Sequence, residues 1–183
     1  YKLAVENYCE AYHLPFIHPG LNAYSPLDQH YNLIVGEGAS GQGTHTYDLE
    51  RGGGAPLPVF PGWDPERLKT GEYLSLYPNV LLGLQADHFF AIILLPDAPD
   101  RTRERLQFFY VGEAALADVT VERRRSLHEA WAVVFSEDVS VVEGMQRGRQ
   151  SPGFSGGVFS PVMDIPTHHF HRWFAGELQG MQD

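Results

Sequence analysis

Cysteine is almost absent from this sequence: its 183 residues contain one, Cys9. A single thiol excludes a disulfide within the chain, and it excludes an iron–sulfur or zinc site built from this chain's cysteines alone. Low cysteine use is typical of reducing compartments, so we expect a cytoplasmic protein. Cys9 lies between Tyr8 and Glu10 and is predicted to be a packing residue.

Basic residues are also scarce, since 13 Lys and Arg stand against 23 Asp and Glu, a formal net charge of −10. Nucleic-acid binding needs clustered cations, so nucleic acid is not an expected partner. The one basic cluster, Arg123 to Arg125, is predicted to form a solvated helix face. No run approaches the roughly 18 apolar residues of a membrane span, so we expect no membrane association.

The chain starts without Met and without a signal pattern, inside a stretch that already has helical periodicity. This start suggests a piece of a longer protein. Its length fits one domain, and we expect residues 1–183 to form a single domain.

The first 20 residues combine a helical pattern with two histidines. Apolar residues recur at helical spacing at Leu3, Ala4, Tyr8, Ala11 and Tyr12. In such a helix Glu10 and His13 share one side, and Pro15 disturbs the turn that follows, which can bring His18 back towards His13. Converging imidazoles suit a divalent transition metal. Histidines five residues apart are nevertheless common, and the spacing alone favours an ordinary structural role.

The middle of the chain predicts an antiparallel sheet. Residues 21–72 are rich in Gly, Pro, Ser and Asn and predict loops with short strands at 31–35 and 41–47. Four further strands are predicted over 73–77, 80–84, 88–95 and 106–111. The short turns between them favour an antiparallel meander over a parallel sheet with helical crossovers.

A long helix is predicted from Asp118 to about Gln150. Its apolar stripe consists of Trp131, Val134, Phe135, Val141, Val142 and Met145. Asp138 falls inside this stripe, where a carboxylate is costly unless it is paired or binds a metal, so Asp138 is the preferred third ligand. The neighbouring Glu137 is expected to face solvent, and the rival Asp164 is expected to be less buried. A last helix is predicted over residues 168–178, with structural roles for His168, His169 and His171.

His13, His18 and Asp138 together make a set of two histidines and one carboxylate. This set is the usual one in non-haem Fe(II) oxygenases, because it leaves open positions on the metal. Zinc can use the same three ligands and remains an alternative.

The sequence resembles the catalytic domain of the α subunit of Rieske-type non-haem iron aromatic-ring-hydroxylating oxygenases. The resemblance covers nearly the whole chain. Its first motif is Lys2-Leu3, Glu6-Asn7-Tyr8, Glu10, Tyr12-His13 and His18-Pro19; the later matches are Tyr77-Pro78-Asn79, Glu137-Asp138 with Glu143, Gln146-Arg147-Gly148 and Phe170-His171-Arg172-Trp173.

This resemblance implies an α+β fold of the helix-grip (START/Bet v 1-like) type, a curved antiparallel sheet packed on a long C-terminal helix. It implies mononuclear Fe(II) bound by His13, His18 and Asp138. It makes Glu10 the acidic residue that bridges towards the Rieske cluster of a neighbouring subunit in a trimer, with Asn7 of the same motif as a second catalytic residue.

The resemblance also implies a part that this sequence lacks. A Rieske [2Fe–2S] centre needs a Cys-x-His and a Cys-x-x-His pair, and neither occurs here. We therefore expect the N-terminal Rieske domain to be absent from this chain and the chain alone not to turn over. Electrons would come from a reductase or ferredoxin, ultimately from NAD(P)H.

The implied reaction is reductive O₂ activation that hydroxylates an aromatic compound or oxidatively demethylates an N-methyl compound. Glu rather than Asp at position 10 points to the subgroup acting on quaternary ammonium compounds. Candidate pocket residues for such a cation are Tyr8, Tyr12, Phe16, Phe90, Trp131 and Phe135. Two other hypotheses stay open: a metal-free helix-grip module that binds a small molecule, and a zinc hydrolase with the same ligand set.

Overall fold

The computed structural model describes residues 1–48 and 53–181. Its α-helices are α1 Lys2–Cys9, α2 Leu14–Ile17, α3 Pro19–Asn22, α4 Val121–Arg149 and α5 Ile165–Gly180. Its strands are β1 His30–Val35, β2 Ala39–Thr44, β3 Gly71–Leu76, β4 Val80–Gln85, β5 Phe89–Ala98 and β6 Arg101–Phe109.

The six strands form one antiparallel sheet in which each strand pairs with the next along the chain. Side chains in β3 and β4 alternate between buried and half-exposed positions, as expected when one face covers the core. This confirms the predicted meander. The last hairpin is longer than predicted, because β5 continues through Pro96 with an irregularity between Pro96 and Ala98.

The long helix α4 crosses the sheet and closes the core. Leu127 and Trp131 of α4 pack with Val5 of α1 and with Phe90 and Leu94 of β5. The observed helix, Val121–Arg149, agrees with the prediction to within a few residues. A curved six-stranded antiparallel sheet gripping a long helix is the α+β helix-grip fold that the sequence indicated.

The N-terminal helix is shorter than the prediction. Helix α1 ends at Cys9, and Glu10 follows in an extended conformation with φ −123° and ψ 159°. Pro15 lies in the first turn of the separate helix α2, a position where its missing N–H costs nothing. Glu10 and His13 therefore do not share a helix face, and the turn between α1 and α2 brings them together instead.

The prediction of a solvated arginine cluster is wrong for its first residue. Arg123 is only 4% exposed, and its guanidinium lies 3.7 Å from Asp87 Oδ2. Arg125 is exposed and pairs with Glu122, as expected for a helix surface. Cys9 is fully buried, and burial raises the pKa of its thiol to about 12, which fits a packing residue.

Candidate metal centre

His13, His18 and Asp138 converge in the structure. One ligand atom from each lies within 4.8 Å of the others. Asp138 Oδ1 is 2.9 Å from Nε2 of His18 and 3.7 Å from Nε2 of His13. Within the described ranges, these three residues form the potential metal-binding group.

The local chain path places the two histidines. His13 precedes the first residue of α2, and His18 joins α2 to α3 with a non-helical φ of −117° and ψ of 60°. Because the chain reverses through these two four-residue helices, the imidazole centroids lie 5.1 Å apart. Asp138 comes from the second half of α4.

Each imidazole is held by its own carboxylate on the side away from Asp138. His13 Nδ1 donates to Glu10 Oε1 at 2.5 Å, and His18 Nδ1 donates to Glu137 Oε2 at 2.7 Å. A proton on Nδ1 leaves the lone pair on Nε2, and a carboxylate partner raises the basicity of that nitrogen. Both rings are thus oriented so that their Nε2 atoms face the same point, near Asp138 Oδ1.

Glu137 does not face solvent as predicted. Its side chain is 34% exposed, and its carboxylate contacts a histidine 119 residues earlier in the sequence. Burial disfavours a charged His18, but the hydrogen bonds that His18 donates to Asp138 and Glu137 outweigh it, so the pKa of His18 is raised. Glu137 therefore sets the electrostatics of the site together with Asp138.

A buried polar network supports the Glu10 side. Gln42 of β2 donates from Nε2 to the Glu10 carbonyl at 2.9 Å, and its Oε1 lies 2.7 Å from His30 Nδ1. His30 Nε2 reaches Ser25 Oγ at 3.0 Å. Burial lowers the pKa of His30. The network fixes the extended segment that carries Glu10 against the sheet.

A cavity of about 50 Å³ adjoins the three converging residues. A cavity of this size holds a few water-sized groups and is too small for an amine substrate. It shares Asn7, Tyr8, Phe135 and Asp138 with a larger cavity of about 450 Å³ between α1, α4 and the β5–β6 hairpin. That larger volume lies within the range of small-molecule sites.

The structure brings together three of the six predicted pocket aromatics. Tyr8, Trp131 and Phe135 line the small cavity. Phe90 is fully buried and packs edge-to-face on Trp131, with centroids 4.7 Å apart. It does not line the cavity itself but contacts a residue that does. Phe16 is 81% exposed and Tyr12 is 44% exposed, and neither lines this cavity.

Glu10 also borders a third cavity, of about 400 Å³, which is lined by residues of α1, α4 and α5. Glu10, Tyr12, Asp164 and His171 line it. Asn7 lines all three cavities and so stands at their junction. Glu10 thus contacts His13 and also borders this third cavity.

The remaining histidines and the rival carboxylate have structural partners. His169 Nδ1 lies 2.8 Å from the Tyr77 hydroxyl, and His171 Nε2 lies 3.0 Å from Glu6 Oε1. Asp164 is buried, contrary to expectation, and accepts a hydrogen bond from the Ser160 N–H at 2.7 Å at the start of α5. These contacts agree with the structural roles predicted for His169 and His171.

The donor set fits a transition metal. Two imidazole Nε2 atoms and one carboxylate oxygen converge, each imidazole is oriented by a second carboxylate, and apolar side chains form part of the lining. This is the composition expected for two histidines and one carboxylate with open positions on the metal.

Sequence reasoning missed Glu137, Gln42, His30 and Tyr73, all of which contact or line the site. Gln42 carried a usable signal, because a glutamine inside a short Gly-rich strand predicted to pair has to satisfy its amide when that strand is buried. Glu137 carried none, since its role depends on the position of His18.

Comparison with known proteins agrees with the fold. The family described as ring hydroxylating alpha subunit (catalytic domain) matches residues 1–180. Choline monooxygenase of Arabidopsis thaliana is 30% identical over 173 residues, which are 93% of this chain and 37% of that protein. Putrescine 2-hydroxylase of Ralstonia nicotianae is 28% identical over 190 residues, which are 95% of this chain and 50% of that protein.

The fold is also that of a solved quaternary ammonium Rieske monooxygenase, CntA in complex with L-carnitine. The TM-score is 0.67 at 18% identity, and the match covers 97% of this chain and 44% of that one. The chain spans about a third to a half of the length of these relatives.

Within the described ranges, no helix has both the length and the apolar composition needed to cross a membrane. The match over residues 1–180 shows that the chain belongs to the catalytic-domain family of ring-hydroxylating oxygenase α subunits.

Proposed function

We propose that this chain is the oxygen-activating domain of a Rieske-type oxygenase that oxidises a cationic amine. His13, His18 and Asp138 would hold mononuclear Fe(II). The observation that carries the proposal is the convergence of these three donors, with each imidazole oriented by a separate carboxylate. Fe(II) with open coordination positions supplies reductive O₂ activation when it is bound.

The residues around this centre orient the ligands and exclude water. Glu10 and Glu137 hold the protons on Nδ1 of His13 and His18, so that Nε2 stays free for the metal. Tyr8, Trp131 and Phe135 form an apolar wall that limits the water near the reacting group. Asn7, at the junction of the three cavities, can donate an amide hydrogen bond to a bound group.

Electron delivery is proposed to come through Glu10. Its carboxylate contacts His13 on one side and borders the outer cavity on the other. A hydrogen-bond donor of a Rieske cluster from another subunit can reach it there. This arrangement requires a Rieske domain outside this chain, a homotrimer and a reductase or ferredoxin that draws on NAD(P)H. The scarcity of cysteine supports placing the protein in a reducing, cytoplasmic compartment.

The charge of the larger cavity supports a cationic substrate. Its walls carry the carboxylates of Asp100, Glu104, Asp138 and Glu143 against the cations of Lys2 and Arg101. Burial, followed by the nearby charge of Asp138, raises the pKa of Glu104. An ammonium group relieves this repulsion, and the aromatic faces of Tyr8 and Phe135 add cation–π attraction. Relatives named for choline, putrescine and carnitine agree with this choice of substrate class.

The test is a substrate panel. The Fe(II)-loaded full-length protein, supplied with its reductase and NADH, is offered a quaternary ammonium compound, a primary diamine and a neutral aromatic hydrocarbon. Oxygen uptake matched by oxidised amine supports the proposal. Oxidation of the aromatic hydrocarbon alone overturns the amine assignment. Turnover that needs zinc and no reductant overturns the oxygenase.

A further inference from the structure

A buried chain of polar contacts ends on a wall of the metal cavity. Trp131 lies two helical turns before Asp138 on α4, and its ring lines the cavity beside His13 and His18. Its indole nitrogen lies 3.2 Å from Nε2 of His88, at the start of β5. Neither His88 nor its other partner, Asp87, lines this cavity.

The proton positions in this chain follow from the contacts. An indole N–H can only donate, so His88 Nε2 has to carry a lone pair. The imidazole proton is then on Nδ1, where it is donated to Asp87 Oδ1 at 2.6 Å. The contacts with Asp87 and with Trp131 both require the tautomer of His88 that carries its proton on Nδ1. The hydrogen bond to Asp87 orients the His88 ring, and the oriented ring accepts the Trp131 N–H.

Asp87 is itself fixed by α4. Its second oxygen lies 3.7 Å from Nη2 of Arg123, and Arg123, Asp87 and His88 are all buried. Arg123 and Trp131 are eight residues apart on the same helix. The contacts therefore leave α4 at Arg123, pass through the β4–β5 turn and return to α4 at Trp131.

Trp131 is packed among aromatic rings, and its hydrogen bond to His88 adds a directional constraint to that packing. Trp131 contacts the rings of Tyr47, Tyr73, Phe90 and Phe135. Ring contacts of this kind favour stacked or edge-to-face arrangements and do not by themselves supply an acceptor for the indole N–H. The hydrogen bond to His88 fixes the direction of the indole N–H, because a buried N–H without an acceptor is costly. Burying the Arg123–Asp87 ion pair and the His88 imidazole costs solvation free energy. In this account the buried groups fix the geometry of the indole.

We propose that Asp87 and His88 are positioning residues that fix the indole of Trp131, which stacks on Phe135 with centroids 5.5 Å apart. Phe135 lines both the metal cavity and the larger cavity, so the indole position influences which substrates fit in the larger cavity. The effect on substrates rests on the proposed function. The effect on the indole orientation is independent of the proposed function. Neither residue contacts the converging ligands.

The direct test is the ¹⁵N–¹H signal of the Trp131 indole. The chain has three tryptophans, and the Trp131 signal is the one that Trp131→Phe removes. His88→Leu removes the acceptor and should shift this signal and speed its exchange with solvent. His88→Gln, which can offer an amide oxygen, should restore much of it. The control is His169→Leu, which loses a bond to Tyr77 away from the cavity and should leave the signal in place.

Selectivity is measured alongside in the full-length enzyme. His88→Leu should change the ratio of kcat/KM between a bulky quaternary ammonium substrate and a slim primary diamine by on the order of tenfold, with iron content unchanged. In a Trp131→Phe background the same change should add nothing. If His88→Leu does not fold, Asp87→Ala is measured in its place.

An indole signal that stays in place in His88→Leu, or moves equally in His169→Leu, overturns the positioning role. An unchanged selectivity ratio overturns its effect on substrates. A wild-type enzyme that oxidises no amine refutes the proposed function instead, and the indole signal still decides the positioning role.

Discussion

Glu137 offers a sharp test of how the site is oriented. Its carboxylate accepts the His18 Nδ1–H at 2.7 Å, so Glu137→Ala removes the group that fixes this ring and leaves all three converging ligands in place. Loss of such an outer partner costs roughly 10- to 100-fold in metal affinity. The Glu137 side chain is 34% exposed, so water can partly replace it. We therefore expect the low end of the range, about tenfold, equivalent to about 1.4 kcal/mol.

The assay is an anaerobic competition titration of Fe(II) against a chelator of known affinity. Glu129→Ala is the matched control, because Glu129 lies on the same helix and its side chain is 70% exposed. Glu137→Gln should fall between the wild type and Glu137→Ala, since its amide oxygen can still accept the proton. Equal Fe(II) affinities for Glu137→Ala and Glu129→Ala would refute the orienting role.

Three further predictions concern electron delivery, acid stability and core packing. Glu10→Gln should keep iron content at the wild-type level, because an amide oxygen can still accept from His13, and should strongly lower turnover of the full-length enzyme. Glu6→Gln should cost about 1–3 kcal/mol of unfolding free energy at neutral pH, because the buried Glu6 pairs with Arg149. Its pKa is lowered, against the opposing effect of burial, by His171 and Arg149, so this stability is present above its ordinary value of 4.5 and is lost as the pH falls through the folded pKa. Gly83→Ala should destabilise by about 1–3 kcal/mol, because the new Cβ would lie 2.2 Å from the buried Phe90 ring.

Each of these has a control. Wild-type turnover in Glu10→Gln would contradict the bridging role. Glu122→Gln, which breaks an exposed pair with Arg125, should cost less than about 1 kcal/mol at any pH, and a Glu6→Gln deficit that persists unchanged at pH 3 would contradict the ion-pair account. Gly148→Ala lies in α4 with open space at its Cβ and should be neutral or stabilising. Chemical denaturation measures the unfolding free energy of the Glu6 and Gly83 variants and of their controls.

Local patterns predicted most of the fold. The hydrophobic stripe of α4 and the strand–turn alternation from Tyr73 onward depend on near neighbours in sequence, and both are as predicted. A carboxylate that interrupts an apolar stripe is the signal that makes Asp138 a candidate ligand, and the structure places it near His13 and His18. The end of α1 was placed too late, because helical periodicity does not show that Glu10 leaves the helix to meet His13 through a turn.

Features that depend on distant partners could not be predicted. Glu137 and His18 are 119 residues apart, and Trp131 and His88 are 43 apart. A helix position alone does not tell a solvated glutamate from one that orients a ligand. Arg123 likewise follows the pattern of a surface cluster, and only the approach of the β4–β5 turn buries it against Asp87.

The central claim is that His13, His18 and Asp138 hold one iron. The most direct measurement is the metal content of the purified chain after anaerobic Fe(II) reconstitution, compared with Asp138→Ala and with the control Asp97→Ala, whose carboxylate pairs with Arg103 on the surface. We predict about one iron per chain in the wild type and in Asp97→Ala, and its loss in Asp138→Ala. Zinc in place of iron, or the same iron content in all three proteins, would contradict the claim.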